Sequence, residues 1–542
     1  MKPWAPVLLA CLSPVLVAPP QRTVAQFPPR IRNIVIIVQE NRTPDNLFHY
    51  LTPACPIPPN ASGLTACTPA PVTSGCYNIA PCGVSNQSGR PIPVTLKPAP
   101  LYGSALPQHS HWSFEKMCDP DPATLECRND GAWQITVPTG ASYAYVENTP
   151  VQNYNGSSGR LLDPYLTFAR EFGWANYMFQ TNQGPSYAAH QYLFSGTAAA
   201  TEEDDAKSTF VAEDFSTVYQ SGCLAPGDAT NNILSPTMTS SPHGCSLFDD
   251  RSVKECPATN SALIYPTNPV GSFCESHITM ADVLDRRLIT WEYYAATPGS
   301  LANAPVAFRQ ICDPRFVNPN GDPTSALACT GMQWNANVDI SNLGTDILND
   351  IENCNLSQVS WVTPDDKWSD HAGGNDLYGP SWVAAIVNEI GNHKACPAGT
   401  RDAGQRYWEN TAILLTWDDW GGWSDHEIPP LASKLPCNSA DCRGDYEHGF
   451  RVPLIVISAY TPAGFISNEQ HDFGSILRMI EGVNHIREGQ LGFADARATT
   501  DLREFFSLRM PRAYHAVSAE KAASFFLSPA IRGAAAIDPD DQ

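Results

Sequence analysis

Two short polar segments hold residue types that bind cations, and each directly follows an apolar, β-branched run. Glu40 and Asn41 follow a run near the start of the chain, and Asp418 and Asp419 follow another run much later. Three carboxylates and a carboxamide brought to one place would repel one another unless a cation joined them, and such an oxygen-rich set suits a hard divalent ion or zinc. The simpler interpretation is that the two aspartates cap a turn at the glycines that follow them, since turns favour Asp and Gly.

The apolar runs predict strands buried on both faces of a largely parallel sheet, because each is short, β-branched and apolar throughout. The predicted strands are residues 34–38, 288–291, 359–362, 412–417 and 454–457. Helical patterns, with apolar residues at three- and four-residue spacing, lie between them at residues 164–172, 280–286, 343–351 and 381–390. The alternation predicts an α/β fold with a central sheet. Ligands of such sheets bind beyond the carboxyl ends of the strands, which would bring the two acidic segments together.

The composition argues against several classes of partner. The chain has 542 residues, a hydrophobic share of 43% and a formal net charge of −22. The hydrophobic share is normal for a globular protein. The negative charge argues against nucleic-acid binding and against electrostatic capture by anionic lipid, since both need clustered Lys and Arg. An acidic protein that acts on phosphate has to neutralise its site locally, so a bound cation is expected.

Residues 1–25 are typical of a secretory signal peptide. Lys2 gives the charged start, the apolar run of residues 7–17 is too short to span a bilayer, and residues 23–25 form a cleavage site. A buried N-terminal segment is the alternative interpretation, and Cys11 hints at a lipoprotein signal. The sequence shows no other transmembrane candidate, so we predict a secreted or periplasmic protein.

The cysteines support export. Removal of Cys11 with the signal leaves an even number of the 17 cysteines. Several lie close together in sequence: Cys55, Cys67, Cys76 and Cys82; Cys118 and Cys127; Cys245 and Cys256; Cys437 and Cys442. These spacings predict disulfides in an exported chain and do not fit the C-x2-C spacing of zinc sites, and they leave the connectivity open.

Two stretches break the alternation of strands and helices. Residues 53–108 are rich in Pro, Cys, Ser and Gly, and residues 200–275 are similar, with an acidic run. We predict that both are disulfide-tied insertions beside the core, placed as lids over a site. The core itself is predicted to be a single domain of residues 26–530, and residues 531–542 a flexible tail.

Five blocks, in order along the chain, resemble the phosphoesterase family that holds bacterial phospholipases C and acid phosphatases. The blocks are IVIIVQENRTPDNLFHYL (34–51), GPSYAAHQYLFSGT (184–197), TWDDWGGWSDHEIPP (416–430), GFRVPLIVIS (449–458) and SILR followed by Glu481 (475–481). The first resembles the family opening E-N-R-S-F-D-x-x-F, the third resembles T-Y-D-E-x-G-G-x-x-D-H-V-x-P-P, and the fourth resembles G-F-R-V-P-x-x-x-x-S. Five matches in family order make a specific signal.

The resemblance implies an α/β fold like that of the alkaline phosphatase superfamily, with a central mixed, largely parallel sheet sandwiched by helices. It places four residues at the positions where the family holds its metal: Glu40, Asn41, Asp418 and Asp419. Ser186 falls on the family's nucleophile. The other catalytic residues that the resemblance implies are His109, His371, Asp425 and His426.

Each of these catalytic roles has a structural alternative. The serine could be an ordinary turn residue, and His111 competes with His109 for its role. His371 and His426 could equally be structural hydrogen-bond partners, since histidine serves both purposes. His190, four residues after the serine, either contacts phosphate or packs on a helix.

The chain also departs from the family pattern. Ala188, Ala189 and His190 stand where the family has Pro-Asn-Arg, so one planar phosphate clamp is missing. Phe473 stands where the family has a histidine. These changes leave the proposed metal ligands and nucleophile intact, and they put the choice of headgroup in doubt, especially choline.

The sequence therefore predicts an exported hydrolase of phosphoric monoesters or diesters that uses one divalent metal ion and forms a phosphoseryl intermediate at Ser186. The expected partner is a small phosphoester or a phospholipid headgroup, with no nucleic acid. Two alternatives stay open: a sulfatase-like hydrolase, and an exported binding protein that kept the fold and lost the chemistry. A serine esterase is disfavoured because Ala188 replaces the last glycine of G-x-S-x-G.

Overall fold

The computed structural model describes residues 27–56, 75–103, 107–119, 127–135, 139–206, 209–215, 220–225, 230–234, 256–259, 274–317, 326–373, 378–430, 448–532 and 534–537, and the single residues 67, 72 and 121. The predicted signal peptide lies outside the described residues, as do Cys245, Cys437 and Cys442. Parts of both predicted insertions and of the predicted tail also lie outside them.

An eight-stranded sheet forms the centre of the fold. Its strands are, in chain order, β1 (Asn33–Gln39), β2 (Gly173–Met178), β3 (Trp291–Tyr294), β4 (Val338–Asp339), β5 (Val359–Val362), β6 (Thr411–Trp417), β7 (Leu454–Ser458) and β8 (Phe465–His471). Their order across the sheet is β4-β3-β5-β1-β6-β7-β2-β8. Among these strands β7 alone runs antiparallel to its neighbours. The predicted α/β class with a mixed, largely parallel sheet is confirmed.

Helices cover the sheet. They are α1 (Pro44–Leu47), α2 (His111–Cys118), α3 (Asp163–Glu171), α4 (Ser186–Ser195), α5 (Glu202–Ala206), α6 (Met280–Asp285), α7 (Arg309–Cys312), α8 (Met332–Asn337), α9 (Asp346–Glu352), α10 (Gly379–Asn392), α11 (Tyr407–Asn410), α12 (Phe473–Val483), α13 (Ala494–Arg497), α14 (Ala523–Phe526) and α15 (Pro529–Arg532). Every residue of β1, β5, β6 and β7 is buried, so both faces of the sheet are covered. Within the described part of the chain, no helix has the length and apolar character needed to cross a membrane.

Short elements decorate the core. The paired strands outside the central sheet are Cys82–Ser85 with Ile92–Thr95, Lys97–Ala99 with Ala144–Val146, Pro150–Gln152 with Ser158–Arg160, Thr230–Leu234 with Phe210–Val211 and Cys256–Thr259, and Pro314–Val317 with Ala326–Cys329. The 3-10 turns are Ala132–Gln134, Gly222–Leu224, Ala304–Ala307, Asn342–Gly344, Asp366–Trp368 and Arg503–Phe505.

The pairing of β1 with β6 brings the two acidic segments to one edge of the sheet. The strands are parallel and in register from Asn33 opposite Thr411 to Gln39 opposite Trp417. The next residue of each strand is therefore delivered to the same place, which is what the strand-end argument predicts. A shift of one residue in this pairing would point the two side chains to opposite faces of the sheet.

One predicted strand is wrong, and three strands of the central sheet were not predicted. The strand predicted at residues 288–291 begins only at Trp291, because Leu288 lies in an exposed turn with a φ of 58°. The strands β2 and β8 carry polar residues in their interiors, and β4 has only two residues, so none shows a continuous apolar run. The other predicted strands and helices are found, with ends that differ by a few residues.

The described cysteines form six disulfides. The pairs are Cys55–Cys76, Cys67–Cys82, Cys118–Cys127, Cys223–Cys274, Cys312–Cys329 and Cys354–Cys396. Each of the first four closes a loop within one of the two predicted insertions or within the segment between them. A disulfide restricts the unfolded chain, so each loop is held close to its folded position.

Residues 534–537 contact the turn that precedes the candidate site. The Lys367 ammonium donates to the carbonyl of Ala535 at 2.8 Å, and the backbone N–H of Ile537 donates to a carboxylate oxygen of Asp365 at 2.8 Å.

Candidate active site

Three buried side chains from separate elements converge beyond the carboxyl end of the sheet. Glu40 follows β1, Asp418 follows β6, and His190 lies on α4. The Nε2 atom of His190 is 3.4 Å from Oε1 of Glu40 and 3.8 Å from Oδ2 of Asp418. One ligand atom from each residue lies within 4.8 Å of the other two. We name these three residues the carboxylate–histidine cluster.

The donor atoms of this cluster fit a divalent cation. Among the described residues, neither ring nitrogen of His190 has a hydrogen-bond partner, and Oδ2 of Asp418 has none. Burial lowers the pKa of His190 to about 4, so the imidazole is neutral and offers a lone pair. Buried polar atoms are rarely left unsatisfied, and a neutral imidazole beside two carboxylates is a usual set of metal ligands.

Asn41 links this cluster to the wall of the site. Its backbone has a left-handed φ of 61°, and its N–H donates to Oδ1 of Asp418 at 2.9 Å. Its side-chain Nδ2 lies 2.9 Å from Nε2 of His109. Gly421 packs so closely on Asn41 that a Cβ there would lie 2.3 Å from the Asn41 carbonyl oxygen, which explains the glycine of this turn. The amide oxygen of Asn41 has no hydrogen-bond partner among the described residues and adds a further candidate ligand atom.

Ser186 is the first residue of α4 and lies beside the second aspartate. Its Oγ donates to Oδ2 of Asp419 at 3.2 Å, and Oδ1 of Asp419 accepts the backbone N–H of Gly421 at 2.6 Å. Burial, and then the charges of Asp418 and Asp214, hold the pKa of Asp419 well above its ordinary value. Asp419 therefore orients the serine hydroxyl, and its position as a metal ligand stays a prediction.

A cavity of about 420 Å³ opens above these groups. Its lining residues are Asn41, Pro107, Gln108, His109, Ser110, Pro185, Glu213, Asp214, His371, Ala372, Gly421 and Trp423. Both predicted insertions contribute to the lining, one through residues 107 and 108 and the other through residues 213 and 214. This list contains two carboxylates and no Lys or Arg.

Two neutral imidazoles face each other in this cavity. His109 Nδ1 donates to the carbonyl of Pro107 at 3.3 Å, so its Nε2 accepts from the Asn41 amide. His371 Nδ1 donates to the carbonyl of Ala372 at 2.7 Å, which puts the lone pair on Nε2. The two ring centroids are 5.7 Å apart. Burial lowers the pKa of both histidines, that of His371 to about 3 with a further contribution from His109.

Asp425 and His426, also predicted to be catalytic, belong to a different buried network. The Arg451 guanidinium forms a two-pronged ion pair with Asp425 at 2.8 and 2.9 Å. His426 Nδ1 lies 2.7 Å from Oδ2 of Asp45, and its Nε2 lies 3.0 Å from the amide oxygen of Asn78. Burial alone would raise the pKa of Asp45, but His426 and Arg451 outweigh burial and lower it. The contacts are those of a buried structural network, and the catalytic role of Asp425 and His426 stays a prediction.

Replacement of Arg451 by methionine tests this structural role. The change leaves two buried carboxylates without their cation, so we expect the free energy of unfolding to fall by about 3–5 kcal/mol. The measurement is chemical denaturation of the purified protein. Arg315→Met is the control, because its ion pair with Asp313 is exposed and is expected to contribute no more than about 1 kcal/mol. A stable Arg451→Met protein that has lost all turnover would instead place this network in the chemistry.

Three residues of this site were not predicted from the sequence as metal ligands or as lining of the cavity, although His190 was noted as a contact to phosphate or a packing residue. His190 lies four residues after Ser186, a spacing that puts both on one face of a helix, and this was the available signal. Glu213 and Asp214 lie in an insertion without periodicity, and no sequence signal marked them. Asp214 accepts the backbone N–H of Tyr187 at 2.8 Å, which fixes it beside the start of α4.

Comparison with known families gives a match over most of the chain. The model of the Phosphoesterase family matches residues 31–487. Curated relatives are the non-hemolytic phospholipases C of Burkholderia pseudomallei and Pseudomonas aeruginosa and the phospholipase C B of Mycobacterium tuberculosis. They are 27%, 25% and 27% identical over 177, 246 and 216 residues, or 30%, 41% and 37% of this chain. The matches cover 23%, 32% and 37% of those relatives' own lengths.

Among solved structures, a Vibrio parahaemolyticus protein of the alkaline phosphatase superfamily is similar to this chain. The TM-score is 0.29 at 11% identity, with 63% of this chain and 65% of that protein covered.

Proposed function

The chain belongs to the phosphoesterase family, and we propose that it is a metal-dependent phosphoester hydrolase in which Ser186 is the nucleophile. The observation that carries this proposal is the 3.2 Å hydrogen bond from the Ser186 hydroxyl to Asp419, beside the carboxylate–histidine cluster. A serine hydroxyl, an acceptor that orients it and a set of cation ligands are the parts that phosphoryl transfer to serine requires.

The cation would be held by Glu40, His190 and Asp418, with Asn41 and Asp419 next to them. A divalent cation bound there would neutralise the buried carboxylates and lower the cost of forming the serine alkoxide. The acidic lining of the cavity supports a bound cation, because the twelve lining residues offer a phosphate no positive charge of their own.

The chain's own residues then account for the two halves of the reaction. Ser186 Oγ attacks phosphorus as its proton passes to the Asp419 carboxylate, the bond from phosphorus to the ester oxygen breaks, and the leaving oxygen takes up a proton from solvent and departs as the alcohol. A water molecule then attacks phosphorus, the bond from phosphorus to Oγ breaks, the phosphate product departs, and Oγ regains its proton from Asp419. His109 and His371 line the cavity where phosphoryl oxygens would lie, and the charge of a bound phosphate favours the protonated imidazole that can hold it.

We also propose that the protein is exported and that its substrate is a small phosphoester or a phospholipid headgroup. Export is supported by the six disulfides of the described residues, which persist in oxidising compartments. The headgroup is suggested by the relatives that are named phospholipase C.

Turnover of two chromogenic substrates tests the proposed function. We expect the purified protein, supplied with divalent cations one at a time, to release p-nitrophenol from p-nitrophenyl phosphate or from p-nitrophenyl phosphorylcholine. A chelator should abolish the reaction and the effective cation should restore it, because the buried carboxylates require neutralisation.

The pattern of turnover separates the alternatives. Hydrolysis of the monoester alone indicates a phosphatase, and hydrolysis of the diester indicates a phospholipase C or another phosphodiesterase. A protein that binds the cation and hydrolyses neither substrate would contradict the proposal and favour a binding protein on the same fold.

A further inference from the structure

A buried glutamine joins the two loops that carry the serine and its acceptor. Gln180 follows the end of β2 and is fully buried. Its Oε1 accepts the backbone N–H of Trp420 at 3.2 Å, next to Asp419. Its Nε2 donates to the carbonyl of Gly184 at 3.0 Å, two residues before Ser186. One side-chain amide therefore contacts the backbone of both loops.

The backbone and packing of Gln180 hold this amide in place. Its N–H donates to the carbonyl of Phe450 at 3.2 Å, and its carbonyl accepts the N–H of Gly449 at 2.9 Å. Gly449 presses on the side chain, and a Cβ there would lie 2.4 Å from Cγ of Gln180 and 2.3 Å from the carbonyl oxygen of Asn182. The amide of Asn182 also donates to the Gly184 carbonyl, at 3.1 Å. The amide of Gln180 thus has little freedom to move relative to either loop.

We propose that Gln180 is a positioning residue that sets the distance between the Ser186 hydroxyl and Asp419. The serine and the aspartate come from elements that are far apart in sequence, α4 and the loop after β6. Gln180 bonds to the backbone two residues before the serine and to the backbone directly after the aspartate. Loss of its two hydrogen bonds lets the loops shift by fractions of an ångström, and attack on phosphorus is sensitive to such a shift. The inference rests on the proposed role of Ser186.

The test is Gln180→Met, which keeps the length of the side chain and removes its hydrogen bonds to both loops, together with the longer one of 3.4 Å to the amide oxygen of Asn182. We expect kcat to fall by about tenfold to a hundredfold while KM stays within about twofold, because substrate binding is retained and alignment is lost. Asn33→Leu is the matched control. Asn33 is a buried carboxamide that donates to the carbonyls of Leu356 and Ser357, at the end of β1 remote from the cavity. The Asn33→Leu substitution should lower the thermal midpoint of unfolding to a similar extent and leave kcat unchanged.

The outcomes decide the inference separately from the proposed function. A fall in kcat of less than about fivefold in folded Gln180→Met, or a rise in KM at unchanged kcat, would overturn the positioning role while Ser186 remained essential. If Gln180→Met does not fold, Gln180→Asn, which keeps an amide too short to reach both loops, is judged by the same limits. Failure of both variants to fold would also overturn it, since the amide would then support the whole fold. An inactive wild-type protein would overturn both proposals together.

Discussion

Replacement of Ser186 by alanine is expected to lower kcat by roughly 10⁴-fold or more, because the covalent route through serine is lost. The hydroxyl is a buried neutral group that donates to Asp419, and removal of such a group should cost on the order of 1 kcal/mol of stability. The measurement is p-nitrophenol release, together with acid-quenched mass spectrometry that looks for phosphate on the peptide containing residue 186. Wild-type protein should carry the phosphate during turnover, and the variant should not.

Ser195→Ala is the matched control for this prediction. Ser195 lies at the other end of the same helix and is equally buried, and its single hydroxyl proton lies within reach of the carbonyls of Gln191 and Thr197, with Oγ at 2.9 and 3.0 Å from them. Its loss should change stability by a similar amount and leave kcat as it is. Near-wild-type turnover by Ser186→Ala would exclude the serine as nucleophile and would leave Asp419 without the function assigned to it here.

Replacement of Asp418 by asparagine is expected to remove both cation binding and turnover, the latter by roughly 10³-fold. In chelator the variant should melt no lower than the wild type, because one of several buried carboxylates that repel one another is gone. Saturating cation should stabilise the wild type, by about 2.7 kcal/mol at a hundredfold excess over Kd, and should leave the variant nearly unchanged. Thermal denaturation with and without cation measures this difference without any substrate.

Asp402→Asn is the control for the cation experiment. Asp402 is a buried carboxylate that accepts the hydroxyl of Tyr407, away from the cavity. This variant should retain the full cation-dependent rise in melting temperature. If Asp418→Asn also showed the full cation-dependent rise in melting temperature, the cation would bind elsewhere. The carboxylate–histidine cluster would then not be the cation site.

Much of this site follows from local sequence. Runs of apolar, β-branched residues predict β1 and β6, and ligand binding at the carboxyl ends of strands predicts that Glu40 and Asp418 meet. Their convergence in the structure agrees with that argument, since Gln39 pairs with Trp417. The burial of each strand can be inferred from its own run, and the general rule on ligand sites in α/β sheets supplies the expectation that the strand ends meet.

Other parts of the site depend on contacts that no single segment contains. The sequence around Asp425 and His426 does not show that Arg451 and Asp45 contact them in the folded protein. The buried ion-pair network could therefore not be predicted from that motif. Glu213 and Asp214 reach the cavity from an insertion whose path is set by its attachments to the core rather than by periodicity. Residues 288–291 are mostly apolar and therefore predict a strand. The left-handed φ of 58° at Leu288, which places it in a turn before β3, is not visible in residue types.

The separation of Asn41 and Asp418, 377 positions apart, bears on how the protein becomes active during biosynthesis. A polypeptide emerges from the ribosome N-terminus first, so β1 cannot pair with its neighbour β6 until most of the chain has been made. A truncated translation product that ends before residue 411 has none of β6 and cannot assemble the centre. Hydrolytic activity would therefore report synthesis through β6 and its correct pairing with β1, and it would be absent from fragments that end before residue 411.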